Sequence, residues 1–135
     1  AGDELAFTGP FGNFTLREPD RPLWFVATGT GIAPLLSFLR TSAHLRPTVL
    51  HGVRTEAELY ARDEIEPRCA AYHPCVSQGA APRNRVTDVL PRLAWPEDTH
   101  FYLCGRNDMI QAVQHHLRAR GVPADRIFHE PYFYW

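Results

Sequence analysis

The sequence predicts an α/β fold: a five-stranded, parallel, doubly wound sheet. Short apolar runs recur five times, and segments with helical apolar spacing separate them. The first run ends in a glycine turn that leads straight into a helix, the pattern of strand–helix–strand units.

The elements follow in order. Residues 1–20 stand apart. Leu5, Phe7 and Gly9-Pro-Phe-Gly-Asn-Phe-Thr-Leu16 read as a short extended piece around a Gly/Pro turn, followed by the polar, proline-spaced Arg17-Glu-Pro-Asp-Arg-Pro22. A boundary near residue 20 is expected, with one domain over 21–135. Residues 23–28 form a continuous apolar run, as in a strand covered on both faces. Residues 32–44 carry Leu35, Leu36, Phe38 and Leu39 at helical spacing, and 48–53 read as a second strand. Thr55 and Glu58 match a capping box that opens a helix running towards Pro67. Residues 71–77 form a third strand and 86–93 a short helix. A fourth strand covers 100–104. The next helix, with Asn107 as its N-cap, buries Ile110, Val113 and Leu117 and ends at Gly121; 126–130 give the last strand.

The chain has 135 residues, 14 basic and 15 acidic side chains and a formal net charge of −1. That balance argues against a nucleic-acid partner, which needs a basic face. The purest apolar stretch, Leu23-Trp-Phe-Val-Ala27, is far short of the ~20 residues of a membrane span, so no membrane partner is expected. The N-terminus has neither a basic leader nor a hydrophobic segment, so no secretion signal is expected, and without an initiator Met it is read as processed or cut from something larger. Cys69, Cys75 and Cys104 show no CxxC spacing, so neither a disulfide framework, a zinc site nor an iron–sulfur centre is expected, and a cytoplasmic setting is the default. His115 and His116, adjacent on a helix, point about 100° apart and are poorly placed to chelate one metal.

Gly29-Thr-Gly31-Ile-Ala-Pro34 is the most informative stretch. Glycines between a buried strand and a helix let the backbone approach a ligand, and the helix start offers free N–H groups to a phosphate. A plain tight turn is the alternative; the position at a strand's carboxyl end favours nucleotide phosphate. It is not the usual dinucleotide fingerprint. Pro34 replaces the third glycine, and His51-Gly-Val-Arg54 stands where an acidic residue would read the ribose hydroxyls.

Taken together, ordered motifs resemble the nicotinamide-nucleotide module of the ferredoxin–NADP reductase superfamily. They are Gly9-Pro-Phe-Gly-Asn-Phe14, Ala27-Thr-Gly-Thr-Gly-Ile-Ala-Pro34, His51-Gly-Val-Arg54 with Leu59-Tyr60 and Glu64, Tyr102-Leu-Cys-Gly105 with Met109, and Gly121-Val-Pro-Ala-Asp-Arg-Ile127 with Glu130 and Tyr132. The resemblance implies a Rossmann-like NAD(P)-binding domain of an oxygenase-reductase type of protein, with residues 1–20 as the end of a flavin barrel and its linker. Thr28, Gly29, Thr30, Gly31 and Pro34 would form the pyrophosphate turn. Cys104 and Gly105 would lie beside the nicotinamide, with Met109 part of the same Cys-Gly motif and of the cofactor-binding set. Arg106-Asn107 departs from the family, which often has prolines there; Arg106 is a candidate for a nucleotide phosphate, with an ordinary surface arginine the preferred reading. Glu130 and Tyr132 would face the flavin, and Cys104 and Glu130 are the candidate catalytic residues. Phe133, Tyr134 and Trp135 are read as capping the sheet edge.

The implied function is to position NAD(P)H for hydride transfer to FAD and onward electron transfer to an iron–sulfur, haem or other acceptor. A flavohaemoglobin-type or cytochrome b5 reductase-type parent is a rival, and a non-catalytic nucleotide-binding scaffold that docks a separate flavoprotein is another. NADH is favoured, because Ser77-Gln-Gly79 lacks the family's Ser-Arg pair for a 2′-phosphate, although Arg54, Arg83 and Arg85 offer cations. The flavin barrel and its Arg-x-Tyr-Ser motif are missing, so FAD is expected only with a separate flavin domain, and no turnover is expected from this chain alone.

Overall fold

The computed structural model describes residues 2–9, 11–79 and 84–133. Five parallel strands form one sheet: β1 (Leu23–Thr28), β2 (Thr48–Val53), β3 (Ala71–Val76), β4 (His100–Arg106) and β5 (Ile127–Phe133), in the order β3-β2-β1-β4-β5. The helices are α1 (Ala33–Thr41), α2 (Arg62–Ile65), α3 (Val86–Val89) and α4 (Asn107–Ala119).

Strand alternation divides the core into two layers. Trp24, Val26, Phe101 and Leu103 face α3 and α4, joining Val86, Leu90, Ile110, Val113 and Leu117. Leu23, Phe25, Ala27, Tyr102 and Cys104 face α1 and α2, joining Leu35, Leu39 and Ile65. Because both faces are covered, β1 and β4 read as unbroken apolar runs.

Tyr102 anchors the segment before β1. Its ring packs edge-on to Phe14 and Phe38, and its hydroxyl accepts the Arg17 N–H at 2.9 Å. Phe14 and Leu16 lie against the α1-side core, whereas Leu5, Phe7 and Phe11 are exposed, and no strand forms among the described residues before residue 23. At the other end, α4 closes as a Schellman turn: Gly121 N–H bonds the Arg118 carbonyl and Val122 N–H the Leu117 carbonyl, both at 3.0 Å.

Several local expectations need correction. The Thr55–Glu58 capping box does not form. The Thr55 side chain makes no capping bond, and the Glu58 carboxylate instead takes the Arg54 N–H at 3.0 Å. The helix expected from there to Pro67 becomes a 3-10 turn over Glu56–Glu58, a left-handed Ala61, the single turn α2 and a second 3-10 turn. α1 stops at Thr41, whose hydroxyl bonds back to the Ser37 carbonyl at 3.0 Å, short of residue 44. Asn107 is the first residue of α4 rather than its cap; the preceding Arg106 is extended, and the Asp108 carboxylate accepts the Met109 N–H. β5 continues through Phe133, past a register shift opposite Gly105 and Arg106. Tyr134 and Trp135 lie outside the described residues.

Candidate nucleotide-binding site

The chain leaves β1 towards α1 on one face and leaves the adjacent β4 towards α4 on the other. That divergence opens a crevice at the strands' carboxyl ends, where open α/β sheets bind ligands. After Thr28 the backbone enters a left-handed Gly29 (φ 53°) and a 3-10 turn over Gly29–Ile32 that runs on into α1. The opening N–H groups of such a helical run lack partners within it. Pro34, in the first turn of α1, removes no bond that the turn would otherwise make.

The two turns interlock. A Cβ on Gly31 would overlap the Cys104 carbonyl and lie 2.8 Å from the Gly105 Cα. A Cβ on Gly105, itself at φ 132°, would collide with Thr28, 2.8 Å from its carbonyl oxygen. The Thr28 hydroxyl accepts the Arg106 N–H at 2.9 Å, closing the joint. Both glycines are therefore required by contact between backbones.

The joint separates two sets of candidate residues. On the α3/α4 side lies an open cleft of about 670 Å³, walled by the ends of β1, β2, β3 and β4. It brings together Thr28, Gly29, Thr30, Arg54, Ser77, Arg106 and Met109 from the sequence reading. Gly31 and Gly105 form the joint itself, and Pro34 stands outside the cleft wall. On the α1 side, Cys104 is fully buried and pairs in register with Glu130. Tyr132 lies further along β5 and is partly exposed, while Gly12 of the leading segment approaches the Glu130 carboxylate. Cys104, Glu130 and Tyr132 do not line the cleft.

Burial, and then the charge of Glu130, push the Cys104 thiol up to about 12. It is a neutral thiol at physiological pH and no nucleophile. Tyr132 is likewise pushed up to about 12, chiefly by burial.

Two arginines of the cleft are paired with carboxylates. Arg54 Nη2 lies 2.8 Å from Glu58 Oε1, and Arg106 Nη2 lies 2.7 Å from Asp108 Oδ2. Arg85 also lines the cleft. Arg83 lies outside the described residues.

Sequence reading left out Glu58, Tyr60, Gln78 and Asp108 as site residues, all of which line the cleft. For Glu58 the available signal was its spacing of four residues after Arg54. His51 was also missed. Fully buried, it puts Nε2 3.2 Å from the Gly29 carbonyl and Nδ1 2.9 Å from the Tyr72 hydroxyl. A carbonyl only accepts, so Nε2 carries the proton; burial lowers the pKa and keeps the ring neutral, leaving Nδ1 to accept from Tyr72.

The family model for the oxidoreductase NAD-binding domain matches residues 25–115. The chain belongs to that family. This NAD-binding domain is 34% identical to the reductase component of propane 2-monooxygenase from Rhodococcus jostii, over 97% of the chain and 41% of that protein. It is 32% identical to the toluate 1,2-dioxygenase electron transfer component of Pseudomonas putida, over 97% of the chain and 43% of that protein. The chain thus spans about two-fifths of the length of these curated relatives. Among solved structures, the flavohaem-like FAD/NAD-binding domain of nitric oxide dioxygenase from Vibrio cholerae superposes with a TM-score of 0.77 at 25% identity, covering 91% of the chain and 56% of that domain. These likenesses bear out the membership of the ferredoxin reductase superfamily and the five-stranded parallel fold that the motifs imply. Among the described residues no group of His, Cys, Asp or Glu could hold a metal ion, and no helix is long and apolar enough to cross a membrane.

Proposed function

We propose that this NAD-binding domain holds NAD(P)H, with NADH preferred, and presents its nicotinamide to a flavin carried by a separate domain of an oxygenase-reductase-type protein. The observation that carries the reading is the joint between Thr28–Gly31 and Cys104–Arg106. Backbone N–H groups suited to a pyrophosphate stand on one side of this joint, and the end of β4 with Cys104, paired in register with Glu130 of β5, stands on the other. The pyrophosphate meets the Gly29–Gly31 turn, and the adenosine half extends along the cleft towards Arg54 and Ser77. The nicotinamide reaches over the joint to Cys104 and Gly105. A neutral, buried thiol there supplies a close-packed, weakly polar floor for the ring. Glu130, next to it on β5, supplies an acceptor at the same edge.

In this reading Tyr132 and Glu130 are offered to the isoalloxazine, and Tyr132, Leu5, Phe7 and Phe11 are exposed. On the same reading the flavin is carried by a separate domain, and an electron acceptor such as an oxygenase or haem protein follows it. The relatives' printed roles, a monooxygenase reductase component and a dioxygenase electron transfer component, support this reading.

The test joins the chain to the flavin domain of a relative and follows NADH oxidation with an artificial electron acceptor. Turnover that falls by about tenfold or more on Cys104→Ala, with little change in NADH affinity, supports a role for the strand tip in hydride transfer. Turnover indifferent to Cys104 and Glu130 refutes those roles. Turnover equal with and without this domain refutes the reading as a whole.

A further inference from the structure

Dinucleotide folds usually read the adenosine ribose with a carboxylate at the end of the second strand, accepting from the 2′-hydroxyl. The sequence has Arg54 at that place. The fold nevertheless returns a carboxylate to it. Glu58, on the 3-10 turn after β2, bends back so that Oε2 accepts the Arg54 N–H at 3.0 Å while Oε1 meets the Arg54 guanidinium at 2.8 and 3.2 Å. Both residues line the cleft.

The pair is asymmetric. The Glu58 side chain is 25% exposed and bonds a backbone N–H, whereas the Arg54 side chain is 74% exposed and, among the described residues, bonds Glu58 alone. The anion is thus the more buried and more bonded member of the pair. Hydrogen bonds from Arg54 hold the Glu58 carboxyl below its usual range, so it is ionised at neutral pH. On the facing wall, Ser77 and Gln78 after β3 are uncharged; among the described residues the other cations of the cleft are Arg85 and Arg106, the latter paired with Asp108.

We infer that Glu58 is the specificity-determining residue of the adenosine site, accepting from the ribose 2′-hydroxyl of NADH and rejecting the 2′-phosphate of NADPH both by repulsion and by occupying Arg54. This rests on the nucleotide reading above. A 2′-phosphate has to draw Arg54 away from Glu58 and then sit beside its carboxylate, a like-charge juxtaposition that disfavours the wrong partner.

The experiment needs no flavin. The 135-residue chain is titrated with 5′-AMP and with 2′,5′-ADP, the adenosine halves of the two cofactors, by NMR or calorimetry. The native chain should prefer 5′-AMP by about tenfold or more. Glu58→Gln should remove most of that preference by strengthening 2′,5′-ADP binding, and adding Arg54→Ala should abolish the gain. If Glu58→Gln does not melt cooperatively, Arg54→Ala alone serves, because it leaves the carboxylate in place and should widen the preference. A native preference for 2′,5′-ADP, an unchanged preference in Glu58→Gln, or a narrowed one in Arg54→Ala overturns the role of Glu58 while leaving a nucleotide site standing. Failure of the native chain to bind either nucleotide overturns the nucleotide reading itself, and this inference with it.

Discussion

His51 Nε2 lies 3.2 Å beneath the Gly29 carbonyl, so a buried side chain on β2 fixes the first residue of the turn that follows β1. The Tyr72 hydroxyl, on β3, holds the other ring nitrogen at 2.9 Å. Three neighbouring strands thus set one peptide unit. Truncation by His51→Ala leaves the Gly29 carbonyl and Tyr72 hydroxyl without that partner and opens a cavity. A loss of about 2–4 kcal/mol in urea denaturation is expected, with weaker NADH binding in the folded protein. Tyr72→Phe should cost about 1 kcal/mol and leave NADH affinity nearly unchanged, since it does not touch Gly29. Equal loss of affinity in both variants would contradict the arrangement.

Stability should depend on pH in two stages. His51 and His116 both have pKa values lowered chiefly by burial, so the unfolded chain binds more protons than the folded one as pH falls through their range. Their contribution is complete above the unfolded value of about 6.5 and is lost progressively below it. Glu58, Glu64, Glu66 and Asp108, each lowered by a hydrogen-bonded arginine, add a second loss below the ordinary carboxylate range of about 4. Chemical denaturation from pH 8 to pH 4 should show the first decline, and His51→Gln should flatten it. A melting profile level from pH 7 to pH 5 would be inconsistent with a buried neutral His51.

The joint predicts a sharp contrast among glycines. Gly31→Ala and Gly105→Ala force side-chain carbon into the Cys104 and Thr28 backbones, and each should cost about 2–4 kcal/mol. Gly29 also has a positive φ, yet a Cβ there meets nothing within 4 Å. Gly29→Asn, a residue that tolerates the left-handed region, should cost under about 1 kcal/mol. Thermal melts of the three variants compare them directly. Equal destabilisation at all three would argue that backbone conformation alone, and not the contact between turns, sets the requirement.

Thiol reactivity should follow burial. Cys104 and Cys75 are pushed up to about 12 and Cys69 to about 11, in each case mainly by burial. Cys69 is the most accessible of them. Iodoacetamide at pH 7.5 should label Cys69 first and slowly, and Cys75 and Cys104 only on unfolding. Rapid labelling of Cys104 in the native protein would remove the basis for treating it as a packed, neutral floor.

The architecture was legible because both faces of the sheet are covered, which leaves long apolar runs at β1 and β4 and helical stripes in α1 and α4. The segment after β2 was not. Thr55 and Glu58 satisfy the spacing of a capping box, but a tertiary pairing with Arg54 outcompetes it, and spacing carries no record of that competition. The same event hid the Glu58 carboxylate of the cleft wall. His51 was invisible for a related reason: an isolated His within an apolar strand gives no indication of which carbonyl it will meet across the sheet. The glycine turn and the Cys104-Gly105 tip were visible locally, although their contact with each other is a consequence of β1 and β4 being neighbours.

The central claim is that dinucleotide occupies the crevice between the β1 and β4 turns. Amide chemical shifts recorded while NADH is added to the chain measure this directly. Perturbations concentrated at Gly29, Thr30, Gly31, Arg54, Ser77 and Arg106 are predicted. Perturbations confined to the opposite flank, around Gln114, His115, Arg118 and His129 on α4 and β5, would contradict it.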